Sequence, residues 1–360
     1  QIYSILALVG ILSLVSCTKE IIFKGDKLEP KLVVNSIGNV DSVFVVQVAL
    51  SKPIPGYESS FQYLPDATVK LYSDGKELET LQRVSFDGYD AEMIKYLEPS
   101  LVNGTYVGRK TIIESGRTYR IEVSHPKYPT ATSEMTAPTK IPIERIDTVS
   151  TIYVDNYSGN MRKYKASIRF TDPANEENFY RLHISYIVGR NYTGNQGPVE
   201  GSEKETVWLE SYYNTYNGIE SDDPVFASEQ DANDFLFGGD SRSDYTVFTD
   251  VFFDGKTYGL SVFLTDWIAN HITTIDTTKG EFFQANFELY SLPKETYYYI
   301  MSVGKFDWYS DGLFTEPVQV YNNIENGLGI FGAVSLARYK FQVGEYPLDK
   351  YNYQGGSYSY

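Results

Sequence analysis

The spacing of apolar residues constrains this chain most. Beyond residue 30 they recur at every second position in run after run, and Gly, Pro, Asp and Asn cut the runs short. Ala67-Thr68-Val69-Lys70-Leu71-Tyr72 is a clear case. A period of two sends successive side chains to opposite faces of a strand, whereas a helix needs a period near 3.6. Asp74-Gly75 follows, and this pair suits a two-residue type I′ hairpin, whose central residues both take φ > 0. Composition agrees: Tyr (32) and Phe (20) are abundant, while Met (4) and His (3) are scarce. Aromatic and β-branched enrichment between turn-forming residues predicts a mostly β chain.

In chain order, residues 30–138 read as one β-sandwich, immunoglobulin- or transthyretin-like. Strands are expected at 32–37, 43–50 and 67–72, then from 104 and over 116–123, with 130–135 as a closing edge. Ala137-Pro138-Thr139-Lys140-Ile141-Pro142 makes a stiff boundary, because its two prolines favour extended backbone. Residues 143–345 form a larger β-rich domain with one or two short helices. Its expected pairs are 164–170 with 179–186 across Asp172-Pro173-Ala174-Asn175-Glu176-Glu177-Asn178, and 247–253 with 257–264 around Asp254-Gly255. Residues 189–244 are a long polar stretch of the kind that is functional or disordered. Further strands fall at 282–290 and 330–343. The best helix candidate is 293–309, with Ser291 as its cap and Pro293 in its first turn. Tyr297, Ile300, Met301 and Gly304 recur at i, i+3, i+4 and i+7 and give that helix a packed face. The Gly/Ser/Tyr-rich tail, 346–360, has no core pattern.

Ahead of all this lies Leu14-Val15-Ser16-Cys17. The uncharged run before it matches a signal h-region of about 7–15 residues and falls short of the ~20 a spanning helix needs. With a small residue directly before the chain's only cysteine, the arrangement is a lipobox. Residues 1–16 are then a signal peptide, Cys17 is lipidated, and 17–29 are a polar tether. More than one acyl chain on Cys17 anchors firmly where a single chain is marginal. An ordinary buried thiol is the bland alternative. Once Cys17 carries lipid, the mature chain has no disulfide, thiolate metal site or cysteine nucleophile.

The net charge is −16, which suits neither nucleic acid nor a polybasic hold on a membrane. His125, His183 and His271 lie far apart. None has metal-pair spacing, and each reads as an ordinary core or surface residue. No metal and no cofactor are expected.

Three stretches carry a resemblance. Glu29-Pro30-Lys31-Leu32-Val33-Val34 follows the lipobox. Midway comes Asp172-Pro173-Ala174-Asn175-Glu176-Glu177-Asn178-Phe179-Tyr180-Arg181. Near the end comes Glu316-Pro317-Val318-Gln319-Val320-Tyr321-Asn322-Asn323-Ile324-Glu325-Asn326-Gly327-Leu328-Gly329-Ile330-Phe331-Gly332-Ala333. Their order and placement resemble the Bacteroidota lipoproteins grouped as domain-of-unknown-function family 4249, over nearly the whole mature chain. Genes of that family tend to lie beside TonB-dependent receptors. The resemblance therefore implies an outer-membrane lipoprotein accessory to such a receptor, and it names no catalytic residue; a surface-facing position is expected from the acidic Glu20 just after Cys17.

Three groups are candidates for binding. Asn326, Gly327, Leu328, Gly329 and Phe331 combine little bulk with apolar side chains, as a docking loop would. Glycines packed into a turn that feeds a buried strand are the structural alternative. Trp208, Tyr212, Tyr213, Trp267 and Trp308 offer aromatic area for a glycan or peptide, or else serve as core. Glu220, Asp222, Asp223, Glu229, Asp231, Asp234, Asp240 and Asp244 supply hard oxygen ligands for Ca²⁺. Their spacing matches no calcium loop, and a solvated acidic stretch accounts for them. The expected function is non-catalytic: binding a TonB-dependent receptor or its cargo, or binding a surface glycan or peptide independently.

Overall fold

The computed structural model describes residues 29–52, 62–84, 104–155, 159–190, 214–215, 221–226, 247–264, 274–279, 281–309 and 319–344. The chain is mostly β, as its periodicity predicts. Its strands are β1 (Leu32–Asn39), β2 (Val43–Leu50), β3 (Gln62–Tyr63), β4 (Thr68–Ser73), β5 (Lys76–Thr80), β6 (Gln82–Arg83), β7 (Thr105–Ile112), β8 (Thr118–His125) and β9 (Tyr128–Thr136). Then come β10 (Arg145–Asp155), β11 (Gly159–Thr171), β12 (Phe179–Arg190), β13 (Asn214–Thr215), β14 (Val247–Thr249), β15 (Thr257–Leu264), β16 (Glu281–Leu292) and β17 (Gly327–Val343). Among the described residues, one long helix, α1 (Lys294–Tyr309), follows β16.

Local signals act as chemistry requires. The Asp74-Gly75 turn takes φ 52° and 71° and closes the β4–β5 hairpin. In β8 every second side chain is buried, from Tyr119 to His125.

The strands form three sheets. The largest has ten strands, ordered β13-β12-β16-β17-β1-β2-β7-β6, with β14 also on β12 and β3 on β2. A four-stranded sheet runs β5-β4-β8-β9, so β9 is an edge as expected, and a three-stranded sheet runs β10-β11-β15. The large sheet is held together by β17. Its first half pairs in parallel with β1, from Leu32 opposite Gly327 to Asn39 opposite Val334. Its second half pairs antiparallel with β16, from Ser335 opposite Ser291 to Val343 opposite Phe283. The sheet containing β1 and β2 thus takes a strand from near the far end of the chain.

Parity along β17 shows how the layers stack. Phe331 and Ala333 enter one core, shared with Val34, Phe44 and Val46 of the large sheet and Val69, Tyr119 and Ile121 of the four-stranded sheet. Tyr339 and Phe341 pack against the other, which joins Leu182, Phe283 and Phe287 to Ile168, Leu260 and Val262 of the three-stranded sheet. All four are odd-numbered positions of one strand and so share a face. The two smaller sheets therefore cover the same side of the large one. Helix α1 lies on its opposite side, where Tyr297 packs with Phe179, Val247, Leu292 and Val334, and Ile300 and Met301 pack against this cluster.

Several expectations need correction. Residues 164–170 and 179–186 do not pair: β11 lies between β10 and β15, while β12 lies against β16. Nor do 247–253 and 257–264 pair, because β14 joins β12 and β15 joins β11. Both connections carry the chain from one sheet to another. Ser291 is not the helix cap. It belongs to β16, and Pro293 precedes the helix, its carbonyl accepting from Tyr297 N at 3.0 Å. Tyr297 and Gly304 are buried and Ile300 and Met301 half-buried, so the expected packed face is the observed one.

Candidate functional site

The two sheet-switching connections lie side by side and are bonded to each other. Asp172 is buried at the end of β11. Its Oδ1 accepts from Tyr180 Oη at 2.5 Å and its Oδ2 from Gly255 N at 2.9 Å. Its own N–H donates to Lys256 O at 3.1 Å. Asn178 N donates to Asp250 Oδ2 at 2.9 Å, Asp250 N donates to Asn178 O at 3.2 Å, and Asn175 N donates to Asp254 Oδ1 at 3.2 Å. The Asn178 side chain also bonds the Pro173 and Glu176 carbonyls, at 3.3 and 3.2 Å. Gly255 is required at φ 66°, because a Cβ there would sit 2.6 Å from Ala174 Cβ.

Carboxylate oxygens of Asp172, Asp250 and Asp254 lie within 4.8 Å of one another, with the first two residues buried. Burial pushes the Asp172 carboxyl above its usual range and the neighbouring Asp250 and Asp254 charges add to this, against the hydrogen bonds from Tyr180 and Gly255. Burial, then the bond to Asp172, raise the Tyr180 phenol and keep it a donor. One oxygen from each of three side chains is about half of what Ca²⁺ takes, ~6–8, and both Asp172 oxygens already accept bonds. The carboxylates act as clamps between two turns. What they clamp is an exposed tip: Val251 is 70% and Phe252 49% exposed, while Phe253 is fully buried and stacks on Tyr258 with ring centroids 4.4 Å apart.

A second polar cluster crosses the helix-bearing face of the large sheet. His183, Glu288 and Arg338 stand in register on β12, β16 and β17. Glu288 Oε2 meets His183 Nδ1 at 2.8 Å and accepts from Tyr290 Oη at 3.2 Å, and Oε1 accepts from Arg338 Nε at 2.8 Å. Burial pushes this carboxyl up, but the hydrogen bonds from His183 and Arg338 and the Arg338 charge outweigh it and hold it at about 2. Burial and the Glu288 charge raise the Tyr290 phenol to about 12. Sequence reasoning missed this cluster, although polar Gln284, Asn286 and Glu288 alternate visibly with apolar Phe283, Ala285 and Phe287.

The predicted groups fare differently. Gly327, Leu328, Gly329 and Phe331 are strand, not loop. They are the first residues of β17, Phe331 is fully buried, and only Leu328 is exposed, at 39%. Asn326 makes the preceding turn at φ 57°. A Cβ at Gly329 would lie 2.2 Å from Val34 O, so the glycine lets β1 and β17 approach. The work of fixing the strand falls to residues beside them: Asn323 bonds both Phe331 N (2.9 Å) and Phe331 O (2.8 Å), while Glu325 bridges Thr132 of β9.

Of the acidic stretch, Asp222 pairs with Lys165 at 2.8 Å. Asp223 is buried and accepts from Tyr258 Oη at 2.6 Å and Ser261 N at 2.9 Å. Glu220, Glu229, Asp231, Asp234, Asp240 and Asp244 lie outside the described residues, as do Cys17, Trp208, Tyr212, Tyr213 and Trp267. Trp308 falls in the last turn of α1, and its side chain lies outside the described parts. His125 stays structural, its ring 5.0 Å from that of Tyr128. Among the described residues, no helix is long and apolar enough to cross a membrane.

No curated protein matches the chain. Over residues 18–340, from the position after Cys17 through nearly all of β17, the chain matches the model of a family described only as a domain of unknown function, and it therefore belongs to that family, DUF4249.

Proposed function

We propose that this chain is a lipid-anchored outer-membrane protein of the Bacteroidota that binds a TonB-dependent receptor or its cargo and performs no reaction itself. The observation that carries this reading is the work done by the polar residues of the resemblance motifs. Asp172, Asn178, Asn322 and Asn323 all bond backbone groups. Those bonds hold the sheet-switching corner and the entry to β17. Such residues build a platform whose exposed parts then meet a partner. Two further features support the reading: Leu14-Val15-Ser16-Cys17 supplies a lipidation signal, and the family match starts one residue after Cys17.

The test is a mild-detergent pull-down of tagged protein from native outer membranes, read by mass spectrometry. A stoichiometric TonB-dependent receptor is the expected result, and recovery of the lipoprotein alone counts against it. Cys17→Ser should move the protein out of the membrane fraction. Its retention there would remove the lipid anchor from the proposal.

A further inference from the structure

We propose that Val251 and Phe252 form a docking tip that enters an apolar pocket, bordered by Lys or Arg, on a partner protein. The inference rests on the reading of the chain as an interaction protein and names the surface and the chemistry it recognises.

The first support is exposure. Three apolar residues stand in a row in this turn, and only Phe253 is buried. Scattered exposed hydrophobics are ordinary. Here two are adjacent at the apex of a tight turn, and Val251 is 70% exposed.

The second support is preorganisation. Phe253 N donates to Asp250 O at 2.7 Å and Lys256 N to Phe253 O at 2.8 Å within the turn, and Asp172 and Asn178 pin its two ends from the neighbouring connection. The Phe253 ring is also set edge-on to Phe170, 5.6 Å away. A tip already fixed in one shape gives up little conformational freedom on docking.

The third support is charge. Asp254 and, on the adjoining turn, Glu176 are exposed beside the tip, above the buried Asp172 and Asp250. The lysines on these elements are Lys256 and Lys294, and Lys294 already pairs with Glu177 at 3.0 Å. This negative collar disfavours an anionic lipid surface and matches a cationic rim on a protein.

The test uses full-length lipoprotein in native outer membranes. The V251S/F252S double variant should keep the wild-type melting temperature, because both side chains point outward. It should recover at least tenfold less TonB-dependent receptor in the pull-down. Glu176→Lys, which leaves the apolar tip intact, should also reduce recovery. Equal recovery by wild type and double variant overturns the inference while leaving the function above intact. If wild type recovers no receptor, that function fails, and a photoreactive phenylalanine analogue in place of Phe252 decides the inference separately. An adduct with a protein segment that carries Lys or Arg among apolar residues upholds it. Adducts with lipid alone, or none, overturn it.

Discussion

Glu288→Gln isolates the charge at the centre of the His183–Glu288–Arg338 row, because the amide keeps the shape and one acceptor oxygen. The carboxyl goes from 4.5 when exposed to about 2 in the fold. A carboxylate depressed in this way contributes stability that is fully present above the unfolded value and is lost as pH falls toward the folded one. The difference corresponds to about 3–4 kcal/mol at ~1.4 kcal/mol per unit. The Arg338 side chain is 49% exposed, so solvent screening lowers the expected worth to about 2 kcal/mol. The assay is urea unfolding of wild type and Glu288→Gln, followed by intrinsic fluorescence at a series of pH values. Wild type should be more stable by about 2 kcal/mol near pH 6, and the gap should close as pH falls from about 4.5 to 2. The remaining carboxylates titrate in both proteins and cancel. A gap that stays constant across that window, or widens at low pH, would refute the reasoning.

Four further substitutions test the close approaches and hydrogen bonds that hold these turns and strands. Gly329→Ala places a Cβ 2.2 Å from Val34 O at φ 113° and should cost at least ~3 kcal/mol by thermal or urea unfolding. Gly75→Ala also has a positive φ, but a milder one of 71° with open space around it, so a loss of only about 1 kcal/mol is the contrast expected there. Asn323→Ala removes both bonds to the Phe331 backbone and should lower stability by about 1–3 kcal/mol, with hydrogen exchange at the Phe331 amide accelerated. Tyr180→Phe takes a donor from the buried Asp172. Because the Asp172 carboxyl is already raised, its protonation in acid stabilises the fold. The variant's deficit, about 1–3 kcal/mol, should therefore be largest near neutral pH and shrink on acidification.

Strands and turns were legible in the sequence because their causes are local. Alternation along 118–125 becomes alternating burial in β8, and Asp74-Gly75 becomes a hairpin because both residues accept φ > 0. Strand partners were not legible. Asp172–Asn178 and Asp250–Lys256 each resemble a hairpin loop when read alone. Each instead passes between sheets because the two bond to each other through Asp172–Gly255 and Asn178–Asp250, and neither segment's own sequence encodes that partner. The glycines before Phe331 signalled close approach, and the approach is real, but it is of β1 to β17 and not of an outside molecule. The Val251-Phe252 tip was hidden because an apolar triplet inside an expected strand reads as core.

The position of β17 yields one more prediction. Phe331 is fully buried in the core of residues 32–137, stacked on Phe44 with centroids 5.8 Å apart. Replacing such a Phe by Ala typically costs about 3–5 kcal/mol, and whole domains hold only about 5–15 kcal/mol in reserve. A fragment of residues 30–142 loses Phe331 and Ala333 and leaves β1 without its parallel partner along eight register positions. It also loses the Glu325 bridge to Thr132 of β9. That fragment should therefore be unfolded or self-associating through the bared β1 edge, and adding a peptide of residues 319–334 in trans should restore native-like hydrogen-exchange protection in β1. A monomeric fragment that unfolds cooperatively at the temperature of the intact chain would show that β17 decorates this core and is not part of what holds it together.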